Sequence, residues 1–190
     1  MSRRAYAVVS VILLAMSLPS LAAAAGPYPQ TRQGWLVGFG VGGGSAAISV
    51  GSATSDREAG GAGTFRVGYA FQPQLSLELD ANTWTKTENS VTLSFSVATA
   101  AINYYPGASG LVLRGGIGSG SADATILVGS HSFKGSESGL GLTFGAAYEF
   151  RVTRTFAIGP QLDYSLAKFS DFDSNHMIGS LGFNWYFIPK

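Results

Sequence analysis

The chain of 190 residues contains no cysteine. Disulfide scaffolds, thiol catalysis and structural zinc ribbons are therefore excluded, so an exported protein of this size must rely on its own sheet, core or membrane. Charge is scarce and balanced, with 12 Lys and Arg against 11 Asp and Glu. No basic patch or RNA-binding motif is present, which argues against a nucleic-acid partner. Helical periodicity is missing after the first 25 residues, and no second apolar run is long enough for a transmembrane helix.

The first residues have their own pattern. Arg3 and Arg4 precede the apolar run "AYAVVSVILLAMSL" and then "PSLAAAAG". A charged start, a short apolar stretch and an Ala-x-Ala region predict a cleaved secretory signal peptide at 1–25. The expected mature chain starts near Gly26 with a short lead-in at 26–34. Without Arg3 and Arg4 it carries 10 basic and 11 acidic residues, a net charge of −1.

Glycine is plentiful, at 26 residues. "GFGVGGG" (Gly38 to Gly44) matches the dinucleotide fingerprint G-x-G-x-x-G. That motif needs a strand before it and a helix after it. "SAAISVGSATSDREAGGAG" follows instead, with no apolar stripe at helical spacing, and no strand–helix–strand pattern comes later. Alternation explains the glycines better. Gly38, Gly40 and Gly42 share one face of a strand, and Trp35, Val37, Phe39 and Val41 share the other.

Alternation then predicts eight strands. The first spans about Trp35–Gly44. The second, "GTFRVGYAF", separates Phe65, Val67, Tyr69 and Phe71 from Thr64, Arg66, Gly68 and Ala70. The third separates Leu75, Leu77, Leu79 and Ala81 from Ser76, Glu78, Asp80 and Asn82. The fourth, about Val91–Tyr105, is expected to send Val91, Leu93, Phe95, Val97 and Ala101 outward. The fifth turns Arg114 away from Leu111, Leu113 and Ile117. The sixth sets Gly141, Thr143, Gly145 and Ala147 against Leu140, Leu142, Phe144 and Tyr148. The seventh separates Phe156, Ile158, Leu162, Tyr164 and Leu166 from Gln161 and Asp163. The eighth separates Met177, Leu181, Phe183, Trp185 and Phe187 from Ser180, Asn184 and Tyr186.

"FQPQ", "PGASG" and "VTRT" predict short turns, while Gly44–Gly60, Trp84–Ser90, Gly120–Ser138 and Lys168–Asn175 predict long polar loops. Short turns on one side and long loops on the other mark outer-membrane barrels, with both ends of the mature chain on the short-turn, periplasmic side. The apolar stripes are long, and Tyr69, Phe71, Tyr105, Tyr148, Phe150, Phe156, Trp185 and Phe187 near the short turns predict an aromatic girdle. The opposite face, rich in Gly, Ser and Ala, suits a narrow eight-stranded interior better than a water-facing surface. The expected fold is all-β: a closed, eight-stranded, antiparallel, up-and-down transmembrane barrel over 35–187, with a tail at 188–190.

"FRVGYAFQPQLSLELDANTW", "AINYYPGASGLVLRGGIGSG", "YEFRVTRTFAIGPQLDY" and "GSLGFNWYF" carry a resemblance. Over about Trp35 to Phe187 the chain resembles the small outer-membrane β-barrel family of OmpA- and OmpX-like proteins. The resemblance implies a Gram-negative outer-membrane location, insertion by the barrel-assembly machinery, and contact with outer-membrane lipids and lipopolysaccharide. It is informative for fold and says little about role.

By parity Arg66, Glu78, Asp80, Arg114, Glu149, Gln161 and Asp163 face inward, mostly in the half near the short turns. A three-residue connection at Phe71–Pro73 would set Arg66 opposite Glu78. A lumen this narrow fills with its own side chains, so a structural plug of ion pairs is expected rather than a charged filter or a catalytic carboxylate pair. Lipid A-modifying enzymes on such scaffolds use Ser and His. Here Ser130, His131 and Ser132 are neighbours in one loop without an evident acidic partner, which does not make a triad. "DFDSN" spaces Asp171, Asp173 and Asn175 like calcium ligands, yet His176 and Gly182 stand where such a loop needs Gly and Glu. In the loop "TILVG" (Thr125–Gly129), Ile126, Leu127 and Val128 either extend a hairpin or offer an apolar contact. Arg57, Lys86, Lys134 and Lys168 could meet anionic lipopolysaccharide. No catalytic residue, cofactor or metal is expected. The expected role is structural or surface-interacting through four loops with an unknown partner. The alternatives are a porin-like channel for small solutes or hydrophobic compounds, and a lipid A enzyme.

Overall fold

The computed structural model describes residues 28–128 and 131–187. The expected leader at 1–25, Gly129 of "TILVG", Ser130 beside His131 and the tail at 188–190 lie outside the described residues, as do the Val128 and His131 side chains.

Ten strand segments form one antiparallel sheet: β1 (Gly34–Val50), β2 (Ala53–Thr54), β3 (Glu58–Gln72), β4 (Leu75–Glu88), β5 (Val91–Tyr104), β6 (Leu111–Val128), β7 (His131–Tyr148), β8 (Phe150–Arg151), β9 (Phe156–Lys168) and β10 (Asp173–Phe187). Each long strand pairs with its sequence neighbour. β10 also pairs with β1, from Trp35↔Phe187 to Ser49↔Asp173, and closes the barrel. β2 folds back on the end of β1. β8 continues β7 in the same register on β9, and the ladder breaks at Glu149, near Pro160, which has no N–H to donate.

Successive side chains point to opposite faces, and the outer face is apolar at the short-turn end. Trp35, Phe65, Leu77, Leu79, Ile102, Ile117, Phe144 and Leu181 are all exposed there. Further up β4 and β5 the same face switches to hydroxyls. Thr83–Ser96, Thr85–Ser94 and Thr87–Thr92 pair across β4 and β5, each at 2.9 Å.

That switch corrects the expectation of four long loops. Two of the four segments are strand, paired as far as Glu88↔Val91 and Val128↔His131, while 55–57 and 169–172 remain loop. Asn89 and Ser90, both at positive φ, make a two-residue turn of the primed type that suits the twist of a hairpin. Ser and Thr were read as loop signals, but they also pair well across strands. For Ile126 and Leu127 the hairpin extension holds. At about 3.3 Å per residue and 40° of tilt, the part of β6 beyond Ser119 rises about 20–25 Å above the apolar belt.

The fourth predicted strand was assigned the wrong face. Phe95, Val97 and Ala101 of β5 are buried inside the barrel, with Leu93 packed against them. Ser96, Ala98, Ala100, Ile102 and Tyr104 point out instead. Apolar character does not by itself mean lipid, because the upper lumen is itself apolar. The same one-residue phase removes Tyr105 from the expected girdle, since it is 2% exposed in the lumen. Tyr104 takes its place. The other girdle aromatics lie on the outer face, tied by Trp35–Tyr69 and Phe156–Trp185 ring contacts at 5.6 and 4.7 Å.

Candidate functional site: a filled lumen beneath an apolar mouth

The inward positions stack into three layers. Nearest the short turns, Glu149 gathers four hydrogen bonds. Arg32 donates from Nε and Nη2 at 3.1 and 2.8 Å, Asn184 at 3.0 Å and the Tyr186 hydroxyl at 2.6 Å. Arg32 comes from the lead-in before β1, and its side chain is wholly buried. Its guanidinium lies 3.9 Å over the Tyr105 ring, and that of Arg151 lies 3.9 Å over Tyr186. The lead-in therefore fills the base of the barrel.

The middle layer is ionic. Arg114 donates to Asn103 at 2.8 Å and to Asp163, and its Nε lies 3.3 Å from Asp80. Arg66 donates to Gln161 at 2.7 Å and sits 4.0 Å from Asp80 and 3.9 Å from Asp163. Glu78 accepts from Ser76 at 2.6 Å and from Tyr105 at 3.4 Å. Arg66 thus faces Asp80, not Glu78 as the assumed turn length implied. The β3–β4 turn sits at Pro73–Gln74, after Gln72↔Leu75, and a one-residue irregularity between Ala70 and Gln72 then sets the register that pairs Arg66 with Asp80 and Gly68 with Glu78. Four arginines (32, 66, 114 and 151) and four carboxylates (78, 80, 149 and 163) make up the buried charges of the described residues, so these cancel. Unpaired buried charge would be costly, and this balance avoids it. The gap bounded by Arg66, Glu78, Tyr105, Arg114, Glu149 and Tyr186 is too narrow for a water molecule.

The third layer is apolar: Trp84, Phe95, Val97, Ala122, Ala167 and Phe169, with Ala46. Trp84 and Phe95 stack at 5.7 Å. The indole needs two of the glycines of the opening stretches. A Cβ on Gly44 would lie 3.2 Å from its ring, and one on Gly60 would lie 2.7 Å from its Nε1. Gly44 and Gly60 pair directly across β1 and β3, giving Trp84 a flat backbone seat.

Above Trp84 the barrel opens into a cavity of about 420 Å³. Ala46, Ile48, Val91, Leu93 and Phe95 form its sides, and Glu58, Lys86 and Glu88 stand at its rim. Lys86 Nζ lies 2.7 Å from Glu58 and 2.8 Å from Glu88. Hydrogen bonds to the two carboxylates hold the ammonium pKa above its usual range, and the bond from Lys86 holds Glu88 below the usual carboxylate range.

All seven residues of the expected polar network (Arg66, Glu78, Asp80, Arg114, Glu149, Gln161 and Asp163) are buried in the lumen. The expectation missed Arg32, Arg151, Tyr105 and Trp84. Continuing the β1 parity downward from Leu36 would have placed Arg32 inside, and continuing from Glu149 would have placed Arg151. His176 is buried, and neither ring nitrogen has a hydrogen-bond partner among the described residues. Asn175 of "DFDSN" accepts a hydrogen bond from Arg57 at 2.6 Å. No metal-binding group of three or more His, Cys, Asp or Glu exists among the described residues. Among them, too, no helix is long and apolar enough to cross a membrane, which leaves crossing by strands open.

The family model for the outer membrane protein β-barrel domain matches residues 11–187. The chain belongs to that family. Its place is the outer membrane, with the apolar belt toward lipid and the hydroxyl-bearing hairpin tops beyond it. No curated protein matches the sequence. Among solved structures it is similar to Ail, the attachment invasion locus protein of Yersinia pestis, solved in complex with the heparin analogue sucrose octasulfate. The identity is 14%, the TM-score 0.61, and the match covers 80% of this chain and 99% of that one. It is also similar to Neisserial surface protein A, with 18% identity, a TM-score of 0.55, and coverage of 82% and 99%. At these identities the likeness concerns the fold.

Proposed function

We propose that this protein is a non-conducting barrel that acts at the cell surface through its raised β-hairpins, with both mature termini in the periplasm. The observation that carries this reading is the filled lumen: the gap among Arg66, Glu78, Arg114 and Glu149 has no room for water, and the packed Trp84–Phe95 layer lies above the ion pairs. The β6–β7 hairpin is paired to its tip and exposes Ile126, Leu127 and Phe133. An apolar tip framed by hydroxyls is a surface on which a protein partner can dock. Lys134 and Lys168 also lie on the outer side, where they face the anionic headgroups of lipopolysaccharide. Arg57 and Lys86 are less available, since Asn175 and two glutamates engage them. Ail, of the same fold, has been solved with a polysulfated sugar, which is consistent with surface binding as a use of such barrels.

Two measurements test the reading. Protein reconstituted in planar bilayers should show no steady conductance, and cells displaying it should bind a host-cell or matrix surface more than cells displaying Phe133→Ser. Steady wild-type conductance, or binding indifferent to Phe133 and to hairpin truncation, refutes it and favours transport.

A further inference from the structure

The surface reading does not account for the cavity in the mouth. It is a blind pocket, because its floor is the apolar layer above the closed ionic lumen. Its volume of about 420 Å³ lies within the range of small-molecule sites, roughly 300–1,000 Å³. Such sites combine apolar walls with a few converging polar groups, and this one does the same. Trp84 lies at its floor, where Gly44, Gly60 and Phe95 cover the ring and leave it 1% exposed, so it offers the cavity an edge. Trp84 Nε1 is buried with no hydrogen-bond partner among the described residues. The polar groups of the wall gather on one side, at the ends of β3 and β4.

The charge there has a sign. Lys86 bridges Glu58 and Glu88, so two carboxylates share one ammonium and the rim retains one net negative charge. An anionic ligand would have to compete with both carboxylates for Lys86. A cation meets the excess negative charge of the two carboxylates, which attracts it. We propose that the hairpin-end mouth of the barrel binds a small hydrophobic organic cation, an aryl or alkyl ammonium, with its apolar body among Ile48, Val91 and Leu93 above Trp84 and its charge between Glu58 and Glu88. Because the lumen below is closed, the ligand enters and leaves by the same opening.

The chain supplies its own reporter. Of its three tryptophans, Trp35 and Trp185 lie in the outer girdle, 60% and 36% exposed, and Trp84 alone sits under the mouth. The mature protein carrying Trp35→Phe and Trp185→Phe, refolded into phosphatidylcholine vesicles, is titrated with benzyltrimethylammonium, benzylsulfonate and neopentylbenzene. Trp84 emission should change saturably with the cation and more weakly with the anion and the neutral compound. Glu88→Gln should weaken the cation about 1.5- to 5-fold, the range of an exposed ion pair, and less so at high salt. Glu58→Gln with Glu88→Gln leaves Lys86 alone and should reverse the preference toward the anion. Val91→Phe should narrow the pocket and weaken all three. Glu88 and Val91 are exposed, and a shift in gel mobility on boiling reports that each variant folds. No saturable change in the parent, equal binding of the neutral compound, or indifference to both carboxylate replacements overturns the proposal.

Discussion

Replacing Arg114 with Ala removes the guanidinium that holds two buried carboxylates. Its Nε lies 3.3 Å from Asp80, and another nitrogen bonds Asp163. At an effective dielectric constant of about 20, unit charges at that separation attract by about 5 kcal/mol. Arg66, at 4.0 and 3.9 Å, is left to neutralise both. The buried charges no longer cancel, and Asn103 loses the donor to its side-chain oxygen. Breaking one member of a buried pair costs around 3–5 kcal/mol, so Arg114→Ala should destabilise by that amount. Asp163→Ala should cost nearly as much, because it leaves Arg66 and Arg114 with Asp80 as their one nearby aspartate. The double variant restores neutrality and should cost less than the sum of the singles, with a coupling of about 0.5–3 kcal/mol. Equilibrium urea unfolding in phospholipid vesicles, followed by tryptophan emission, measures all three. A single-variant cost below about 1 kcal/mol, or strict additivity, would falsify the ionic-plug argument. An Arg66/Glu78 cycle would miss this pairing, since those side chains are not register partners.

Three other outcomes follow from the same geometry. Leu79 is 65% exposed on the outer belt, so Leu79→Arg should cost about 2–4 kcal/mol near the midplane; a neutral result in the same unfolding assay would mean that Leu79 does not meet lipid. Gly60→Ala sets a methyl 2.4 Å from the Thr85 carbonyl and 2.7 Å from the Trp84 ring, so it should cost about 1–3 kcal/mol by overpacking and shift Trp84 emission, whereas unchanged emission would argue against the glycine seat. Lowering the pH should release the Lys86–Glu88 contact. A carboxylate whose folded pKa is depressed stabilises fully above its unfolded value and loses that contribution as pH falls through the folded one, so carboxyl NMR should show Glu88 titrating below 4.5; titration at or above that value would contradict the contact.

The strand count, the antiparallel order and the lipid-facing stripes were legible in the sequence because side-chain alternation has a period of two and needs no knowledge of the neighbours. Parity also located most of the inner charges. Parity gives a face, however, and not its environment. Val91, Leu93, Phe95 and Val97 read as lipid-facing because they are apolar, and only closure of the barrel showed that its upper interior is apolar as well. Register lies beyond the sequence for a similar reason. The position of the turn at Pro73–Gln74 and an irregularity beside Phe71 together set Arg66 opposite Asp80 instead of Glu78, and both depend on the geometry of one turn. Two of the polar segments were strands because hydroxyls find partners across a ladder that exists only once the chain has folded. The Arg32 base, the Trp84 seat on Gly44 and Gly60, and the mouth above it each join residues distant in sequence. They were decided by the curvature that brings β10 back to β1, since only a closed sheet has an inside to fill.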